Sequence, residues 1–246
     1  MKTKSHVRFF SRAAHLDADI ELADVFKIAI GQGALTTNNG QHLFDHVNAQ
    51  QHPRLASRAS SAHNRTLAAN HLKATLCASF LKDTYEDMTQ YFLEILEAAA
   101  RHGLDPNRLI GEHKVSFEAN DILAAGSWPN VVRMVSQSVF RKLENERSTK
   151  NLLQKMNAKL DLGVSAATID AALPYFEIRH LLAHSDGKAD QKFCDSFPAF
   201  GATAGQKISL DHGILQNART AIFALVNEFD QQIVAKNVVA AGELQP

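Results

Sequence analysis

The chain places apolar side chains at three- and four-residue intervals over most of its length, and strictly alternating segments are rare. This spacing is typical of amphipathic helices and predicts an all-α fold. The first predicted helix covers residues 11–30 and stops at the Gly31-Gln32-Gly33 sequence. Its predicted buried stripe consists of Leu16, Ile20, Val25 and Ile28. Residues 35–41 are rich in Thr, Asn and Gly and are expected to form a loop.

The strongest helical pattern lies in residues 66–101 and predicts a long core helix. The His102-Gly103 pair is typical of a helix end, and Asp105-Pro106 is typical of the start of a short helix. The apolar positions expected on the buried face of the long helix are Leu67, Leu72, Leu76, Phe80, Leu81, Tyr85, Met88, Phe92, Ile95 and Leu96.

Three further helices are predicted after residue 126. One covers residues 131–160, the next begins after a Ser165 cap and ends at residues 185–187, and the last begins at Asp211. The segments 111–126 and 188–210 show no sustained pattern and are expected to be irregular. Residues 42–65 are polar and are expected to form short helices or a mobile arm.

These elements predict an up-and-down four-helix bundle over residues 66–238, because four long amphipathic helices can bury their apolar faces against each other. Residues 1–65 are predicted to form an N-terminal helical extension packed on that bundle. Residues 239–246 are predicted to be a C-terminal tail.

Charge is balanced over the 246 residues, with 26 basic and 26 acidic side chains. This balance removes the general electrostatic argument for polyanion binding that a basic protein offers, so any such site must be local. Residues 46–82 contain no acid, and their bases either guide a polyanion or form a solvated face. The bases in this stretch are Arg54, Arg58, Arg65, Lys73 and Lys82.

Cys77 and Cys194 are far apart and lack metal-binding spacing, which argues against a disulfide framework or a zinc module. We expect both to be small buried apolar residues. No apolar run is long enough to span a bilayer, and the N-terminus lacks the apolar segment of a secretory signal. The sequence therefore predicts a cytoplasmic protein with no membrane partner.

Several well-known motifs are absent, namely the Gly-rich phosphate loops and the H-E-x-x-H zinc motif. Two histidine pairs, His42/His46 and His180/His184, have the i, i+4 spacing that places both rings on one helix face. Glu177 and Asp186 are candidate third ligands for the second pair. With twelve histidines such pairs are expected by chance, so we expect no bound metal and no cofactor.

The most informative segment covers residues 175–187, where three polar side chains, Arg179, His180 and His184, stand at the end of an otherwise apolar helix. A structural interpretation pairs Arg179 with Glu86 or Asp87 and makes His184 a cap of the helix C-terminus. A functional interpretation makes the three polar side chains a site.

Spacing alone does not choose between these interpretations, because the pattern Arg-x4-His also occurs at Arg58/His63 and Arg108/His113. Arg179/His184 differs from the other two pairs in its context. An apolar helix precedes it, a polar residue directly follows the Arg, aliphatic residues precede the His, and an Asp-Gly turn follows.

This segment, Arg179-His180-Leu-Leu-Ala-His184-Ser-Asp-Gly187-Lys-Ala-Asp190, resembles the hallmark of the HEPN domains, which are helical bundles. That hallmark is an Arg, a polar residue that is often Asn, and a His four to six residues beyond the Arg. Here His180 takes the position where Asn is commonest. The placement near the end of the third bundle helix, residues 85–87 and residues 143–147 are also similar. The resemblance covers residues 66–238 and is strongest to the bacterial branch called RiboL-PSP-HEPN.

The resemblance implies a metal-independent endoribonuclease of a toxin, defence or RNA-processing system. Cleavage of RNA by its own 2′-hydroxyl needs a base, an acid and a cation that stabilises the phosphorane, which one Arg and one His cannot supply alone. Residues five apart on an ideal helix are also offset by about 140°, so Arg179 and His184 do not naturally converge on one phosphate. HEPN proteins are generally dimers with the motif at the cleft between protomers, which implies a homodimer here.

The implied roles are general acid or base for His184 and phosphate stabilisation for Arg179. His180 would orient the phosphate or tune His184. We expect further RNA contacts, and an antitoxin or another regulatory protein is a candidate partner. The residues expected to contact RNA are Arg54, Arg58, Arg65, Lys73 and Lys188.

Two alternatives remain open, because a fold does not guarantee an activity. One is a non-catalytic HEPN bundle that binds RNA, a nucleotide or a partner protein. The other is a purely structural or antitoxin-like role. Aromatic side chains could stack on bases, although packing in the core or anchoring of a loop is their commoner role. These aromatic residues are Phe9, Phe10, Trp128, Phe197 and Phe200.

Overall fold

The computed structural model describes residues 1–33, 48–59, 61–146 and 148–245. The predicted loop at 35–41 and the pair His42/His46 lie outside these ranges. In the described residues helices dominate, which confirms the predicted all-α class. In chain order the α-helices are α1 (Lys4–Gly31), α2 (Pro53–Ala56), α3 (Ala62–Arg101), α4 (Pro106–Ile110), α5 (Ala119–Ala124), α6 (Trp128–Glu144), α7 (Thr149–Leu160), α8 (Ala166–His184), α9 (Gln191–Ser196) and α10 (His212–Ala235).

The 40-residue helix α3 lies at the centre of the fold, because α1, α6, α8 and α10 all pack against it. It begins at Ala62, four residues before the predicted start, where the Ser61 hydroxyl accepts a hydrogen bond from the N–H of Asn64. The second half of α3 carries most of the buried residues of this helix. Its fully buried residues there include Met88, Tyr91, Phe92, Ile95 and Leu96.

The first turns of α3 differ from the prediction. Leu67 and Leu72 were expected on the buried face but are 49% and 41% exposed. At this end of the helix Ala69 and Lys73 are the buried residues, and Lys73 pairs with Asp24 of α1. Ala69 and the Lys73–Asp24 ion pair face α1, so Leu67 and Leu72 lie on the solvent side of α3.

Helix α1 packs along α3 through a face that matches the predicted one only in part. Val25 and Ile28 are 61% and 53% exposed, so their assignment to the buried stripe was wrong. The buried face carries Phe9, Ala13, Ile20, Ala23 and Ile30, so the prediction for Ile20 is confirmed. Leu16 is partly buried against the core.

Both ends of the chain are attached to the helical core. Strand β1 (Lys2–Thr3) pairs antiparallel with β2 (Leu244–Gln245). The Thr3 N–H and hydroxyl donate to the fully buried carboxylate of Asp230 on α10. Phe9 lies in the same core cluster as residues of α3 and α10. Residues on both sides of the predicted bundle limits, 66 and 238, therefore pack into one body.

The helix predicted over residues 131–160 is two helices, which corrects the sequence analysis. Helix α6 ends at Glu144 and α7 begins at Thr149, with the Ser148 hydroxyl accepting from the N–H of Asn151 at 3.3 Å. The break lets both helices bury their apolar faces in one cluster. That cluster includes Val139, Phe140 and Leu143 of α6 and Leu152, Leu153 and Met156 of α7.

The segments expected to be irregular contain two short helices, α5 and α9. Helix α9 forms because the Asp190 carboxylate accepts a hydrogen bond from the N–H of Phe193 at 2.7 Å, and Phe193 is buried. The predicted caps Ser165 and Asp211 are confirmed at the starts of α8 and α10. Within the described residues, no helix combines the length and the apolarity needed to cross a bilayer.

Candidate functional site

The segment singled out in the sequence forms the last turns of α8 and the turn that ends it. The N–H groups of Ser185 and Gly187 both donate to the Leu181 carbonyl, at 2.8 and 3.0 Å. Asp186 and Gly187 have φ angles of +52° and +73°, so the predicted Asp-Gly turn is confirmed. The chain then runs beside residues 205–208 and exchanges backbone hydrogen bonds with them, which fixes residues 187–189 relative to the end of α8.

A cavity of about 620 Å³ lies beside this end of α8. Its walls come from α3, the turn between α6 and α7, the last turns of α8, and α9. Arg179, His180 and His184 all line it, so the structure brings the three predicted catalytic side chains to one cavity. Arg179 and His184 are offset by about 140° around an ideal helix. Both nevertheless line the cavity, because the cavity spans a broad face of α8.

The Arg179 guanidinium is held by an aromatic ring. Its Cζ atom lies 4.2 Å from the centroid of the Tyr85 ring on α3. Among the described residues, no ion pair joins Arg179 to Glu86 or Asp87, and Asp87 pairs instead with Arg12 at 2.8 Å. The salt-bridge interpretation of Arg179 is therefore wrong.

The buried Nε–H of Arg179 has no hydrogen-bond partner among the described residues. A guanidinium with a free donor, stacked on a ring beside an open cavity, is suited to bind an anion.

Tyr85 is itself fixed in place. Its ring packs edge-to-face on Phe176, with centroids 5.6 Å apart. Burial raises the pKa of Tyr85, and a hydrogen bond with Thr149 of α7 opposes that rise. The Arg179 position is therefore defined jointly by α3, α7 and α8.

The two histidines lie next to each other and face solvent. The ring centroids of His180 and His184 are 4.6 Å apart, with an angle of 47° between the planes. Both residues are exposed. His184 is the last residue of α8, where the structural interpretation also puts it. In the described part of the chain, neither imidazole donates to a helix carbonyl. Both rings are free to meet a ligand in the cavity.

The cavity lining carries four carboxylates, Glu144, Glu146, Glu177 and Asp190, against two permanent cations, Arg179 and Lys192. Two of the carboxylates are engaged. Glu146 pairs with Lys155, and Asp190 accepts from the backbone at the start of α9.

Burial raises the pKa of Glu144, and the charges of Arg141 and Arg179 oppose that rise. Glu144 and Glu177, the other two carboxylates of the lining, form no ion pair among the described residues. The cavity lining therefore repels an anion less strongly than the number of its carboxylates alone indicates.

The predicted RNA contacts lie outside this cavity. Arg54, Arg58 and Lys188 are exposed, and Arg65 is half-buried near the start of α3. Lys73 is 8% exposed and its ammonium is engaged by Asp24, so the structure assigns it to packing between α1 and α3. The other two Arg-x4-His pairs, Arg58/His63 and Arg108/His113, do not line the cavity either.

The aromatic residues divide between core, cavity and surface. Phe9 is buried and Phe10 partly buried, as expected for packing residues. Phe197 lines the cavity and Phe200 packs on Tyr175. Trp128, expected to pack in the core or anchor a loop, is 74% exposed at the start of α6. Cys77 is buried as expected, and Cys194 is half-buried.

Sequence reasoning placed Tyr85 on the buried face of the long helix and assigned no role to Lys192 or Phe193, yet all three line the cavity. Lys192 and Phe193 belong to α9, which has too few residues for a periodic signal. The Asp190 cap was the one local signal that could have revealed this helix. No sequence pattern pairs Tyr85 with Arg179, because their contact joins residues 94 positions apart.

Comparisons with known protein families, with curated proteins and with solved structures return no match for this chain.

Proposed function

We propose that this protein is a metal-independent endoribonuclease of the HEPN type. One observation carries the proposal: Arg179, His180 and His184 line one cavity, and the buried Nε–H of Arg179 has no hydrogen-bond partner in the described parts of the chain. Residues with a purely structural role would be expected to use these groups in intramolecular ion pairs or helix caps. The described residues show no such contacts for these three side chains, which supports a role in binding a ligand.

The proposed reaction uses the substrate's own 2′-hydroxyl. A base takes the 2′ proton, the 2′ oxygen attacks the adjacent phosphorus, and the 5′ oxygen leaves with a proton from an acid. The products are a 2′,3′-cyclic phosphate and a free 5′-hydroxyl. His184 acts as base or acid, while Arg179 binds the phosphate oxygens and stabilises the phosphorane charge. His180 lies 4.6 Å from His184, ring centre to ring centre, and orients the phosphate or tunes His184.

We infer that the active form is a homodimer. Base and acid must act on opposite sides of the phosphorus, and the two histidines of one chain are neighbours on one helix face. An isologous interface would bring a second copy of Arg179 and His184 to the same phosphate. In this proposal α3, the α6–α7 pair, α8 and α10 constitute the four-helix HEPN bundle, and an antitoxin-like partner could cover the cleft.

An alternative is a non-catalytic HEPN bundle that binds RNA, a nucleotide or a partner protein. The four carboxylates of the lining favour it, because they oppose the approach of a polyanion. Glu146 pairs with Lys155 and Asp190 accepts from a backbone N–H, so these two carboxylates repel a polyanion less strongly. We therefore favour the nuclease.

The test is cleavage of a mixed-sequence RNA by the purified protein in EDTA, with analysis of the product ends. We expect wild type to produce 2′,3′-cyclic phosphate ends and both Arg179→Ala and His184→Ala to lose at least 100-fold in rate, about the contribution of one general acid–base group. His63→Ala is the matched control, since His63 is exposed and belongs to another Arg-x4-His pair.

Circular dichroism and light scattering should show that each variant keeps its fold and its oligomeric state. An inactive wild type, or variants as active as His63→Ala, would reject the nuclease. RNA retention without cleavage would then identify the binding module.

A further inference from the structure

A second group of polar side chains lies where the turn after α4 meets the turn between α6 and α7. Glu112, His113 and Glu146 each contribute one potential metal ligand, and these three atoms lie within 4.8 Å of one another. Glu146 also lines the cavity described above, whereas Glu112 and His113 do not. The group is therefore adjacent to the proposed active site but distinct from it.

His113 is the residue that points to a ligand. Its side chain is only 10% exposed, and its Nε2 atom is buried without a hydrogen-bond partner among the described residues. Nε2 lies 4.0 Å from a carboxylate oxygen of Glu146, too far for a hydrogen bond. Burial, with the nearby charges of Lys159 and Lys155, lowers the pKa of His113. Neutral imidazole is the form that binds metals.

The backbone that presents Glu112 and His113 is firmly held. The Lys159 ammonium of α7 donates to the carbonyls of Arg108, Leu109 and Ile110, at 3.3, 3.0 and 3.3 Å. Gly111 has φ +56°, and a Cβ there would lie 2.9 Å from the Lys159 Nζ. The glycine thus lets the turn close over the ammonium, and the following two side chains project toward α7 and Glu146.

A protein cation already lies between the two carboxylates. The Lys155 ammonium contacts both Glu112 and Glu146, which shows that this point attracts positive charge. The lysine does not bond to His113, so the imidazole Nε2 has no hydrogen-bond partner within residues 1–33, 48–59, 61–146 and 148–245. Lys155 and Glu112 are 33% and 65% exposed, and exposed ion pairs of this kind contribute little to stability. A divalent ion can therefore displace the flexible lysine side chain into solvent.

We propose that Glu112, His113 and Glu146 form a binding site for Zn²⁺ or a similar first-row divalent ion. One imidazole and two carboxylates suit such ions, and water would complete the coordination. Metal–ligand distances of about 2.0–2.2 Å place tetrahedral ligands roughly 3.4 Å apart, so the three groups must close by an ångström or so. Rotation of the exposed Glu112 side chain permits this closure. The bound ion would tie the turn after α4 to the turn that forms one cavity wall.

The test is calorimetric titration of the metal-free full-length protein with ZnCl₂, repeated with CoCl₂ so that visible absorption reports the ligand set. We expect one tight site per chain and a higher Tm with metal. His113→Ala and Glu112→Gln should each weaken binding at least tenfold. Lys155→Met should tighten it, because the competing ammonium is gone. Glu112 is exposed, so Glu112→Gln tests the site even if His113→Ala does not fold.

Two control variants define the specificity. Glu118→Gln changes an exposed acid outside the group and should bind metal as wild type does. The double variant His180→Ala/His184→Ala removes the other histidine pair and should also keep the site. The proposal is overturned if neither wild type nor Lys155→Met binds one equivalent. It is likewise overturned if the tight site disappears with His180 and His184 rather than with His113. These measurements use no RNA, so their outcome is independent of the nuclease proposal.

Discussion

Arg179 is held in place by a contact that leaves its N–H donors available to a ligand. Its guanidinium lies over the Tyr85 ring, so the attraction to the ring face fixes its position without using its N–H donors. An ion pair with Asp87 would have consumed those donors. The ring contact therefore leaves Arg179 able to bind a phosphate in the proposed reaction.

We expect Tyr85→Leu to reduce kcat/KM for RNA cleavage by roughly 2- to 30-fold, because a cation–π contact contributes about 0.5–2 kcal/mol. Tyr85→Phe keeps the ring and should stay within about twofold of wild type. Steady-state cleavage rates of the two variants, measured on folded protein, provide the comparison. Equal losses in both would mean that the hydroxyl is the important group.

At the scale of elements, the end of α8 determines where the site residues lie. The left-handed residues Asp186 and Gly187 stop the helix directly after His184. Backbone hydrogen bonds then attach residues 187–189 to residues 205–208, and α9 begins at Gln191. The turn therefore positions both the histidines on α8 and the α9 wall of the cavity.

Gly187→Ala should reduce the free energy of unfolding by about 1–2 kcal/mol, the cost of a left-handed conformation for a residue with a Cβ. The new Cβ would also lie 3.2 Å from the Leu182 Cδ2 atom. Gly31→Ala is the matched control, because Gly31 ends α1 with open space around its Cα and without positive φ. Urea unfolding curves measure both. A Gly187 variant as stable as the Gly31 variant would contradict this account of the turn.

At the scale of the whole molecule, the two ends of the chain are joined on α10. Thr3 bonds to Asp230, and His6 Nε2 lies 2.8 Å from Asn227 Oδ1. The Tyr91 hydroxyl of α3 also donates to Asp230, at 3.4 Å. One buried carboxylate thus links the N-terminus, the central helix and the last helix.

Because His6 lies in this junction, we expect the free energy of unfolding to decrease in mild acid. Burial lowers the pKa of His6, outweighing the hydrogen bond with Asn227 and the charge of Asp230, which raise it. Folded protein then binds fewer protons than unfolded protein, so the stabilising effect is complete above the ordinary pKa of about 6.5. It is lost as pH falls through the lowered pKa of the folded state.

His6→Gln should flatten the dependence of unfolding free energy on pH between 7 and 5, by up to about 1.4 kcal/mol per pH unit. Chemical denaturation at several pH values measures this slope. His15→Gln, on the exposed face of α1, is the control. Identical slopes in wild type and His6→Gln would exclude His6 as the titrating group.

The sequence alone predicted the all-α class, the long central helix, the caps Ser165 and Asp211, and the Asp-Gly turn after His184. These features depend on periodicity and on capping chemistry, which are local properties of the chain. It also singled out Arg179, His180 and His184, which the structure brings to one cavity. That they cleave RNA remains a proposal.

Only the tertiary structure decided which faces are buried and what surrounds the site. Val25 and Ile28 are exposed because they lie off the face of α1 that is buried, and the apolar pattern of α1 alone does not determine which face that is. Lys73 pairs with Asp24, Tyr85 stacks on Arg179, and His113 meets Glu146, each across more than 30 residues of sequence. Such contacts depend on how helices dock, and docking is determined by the packing of the whole core rather than by any local pattern.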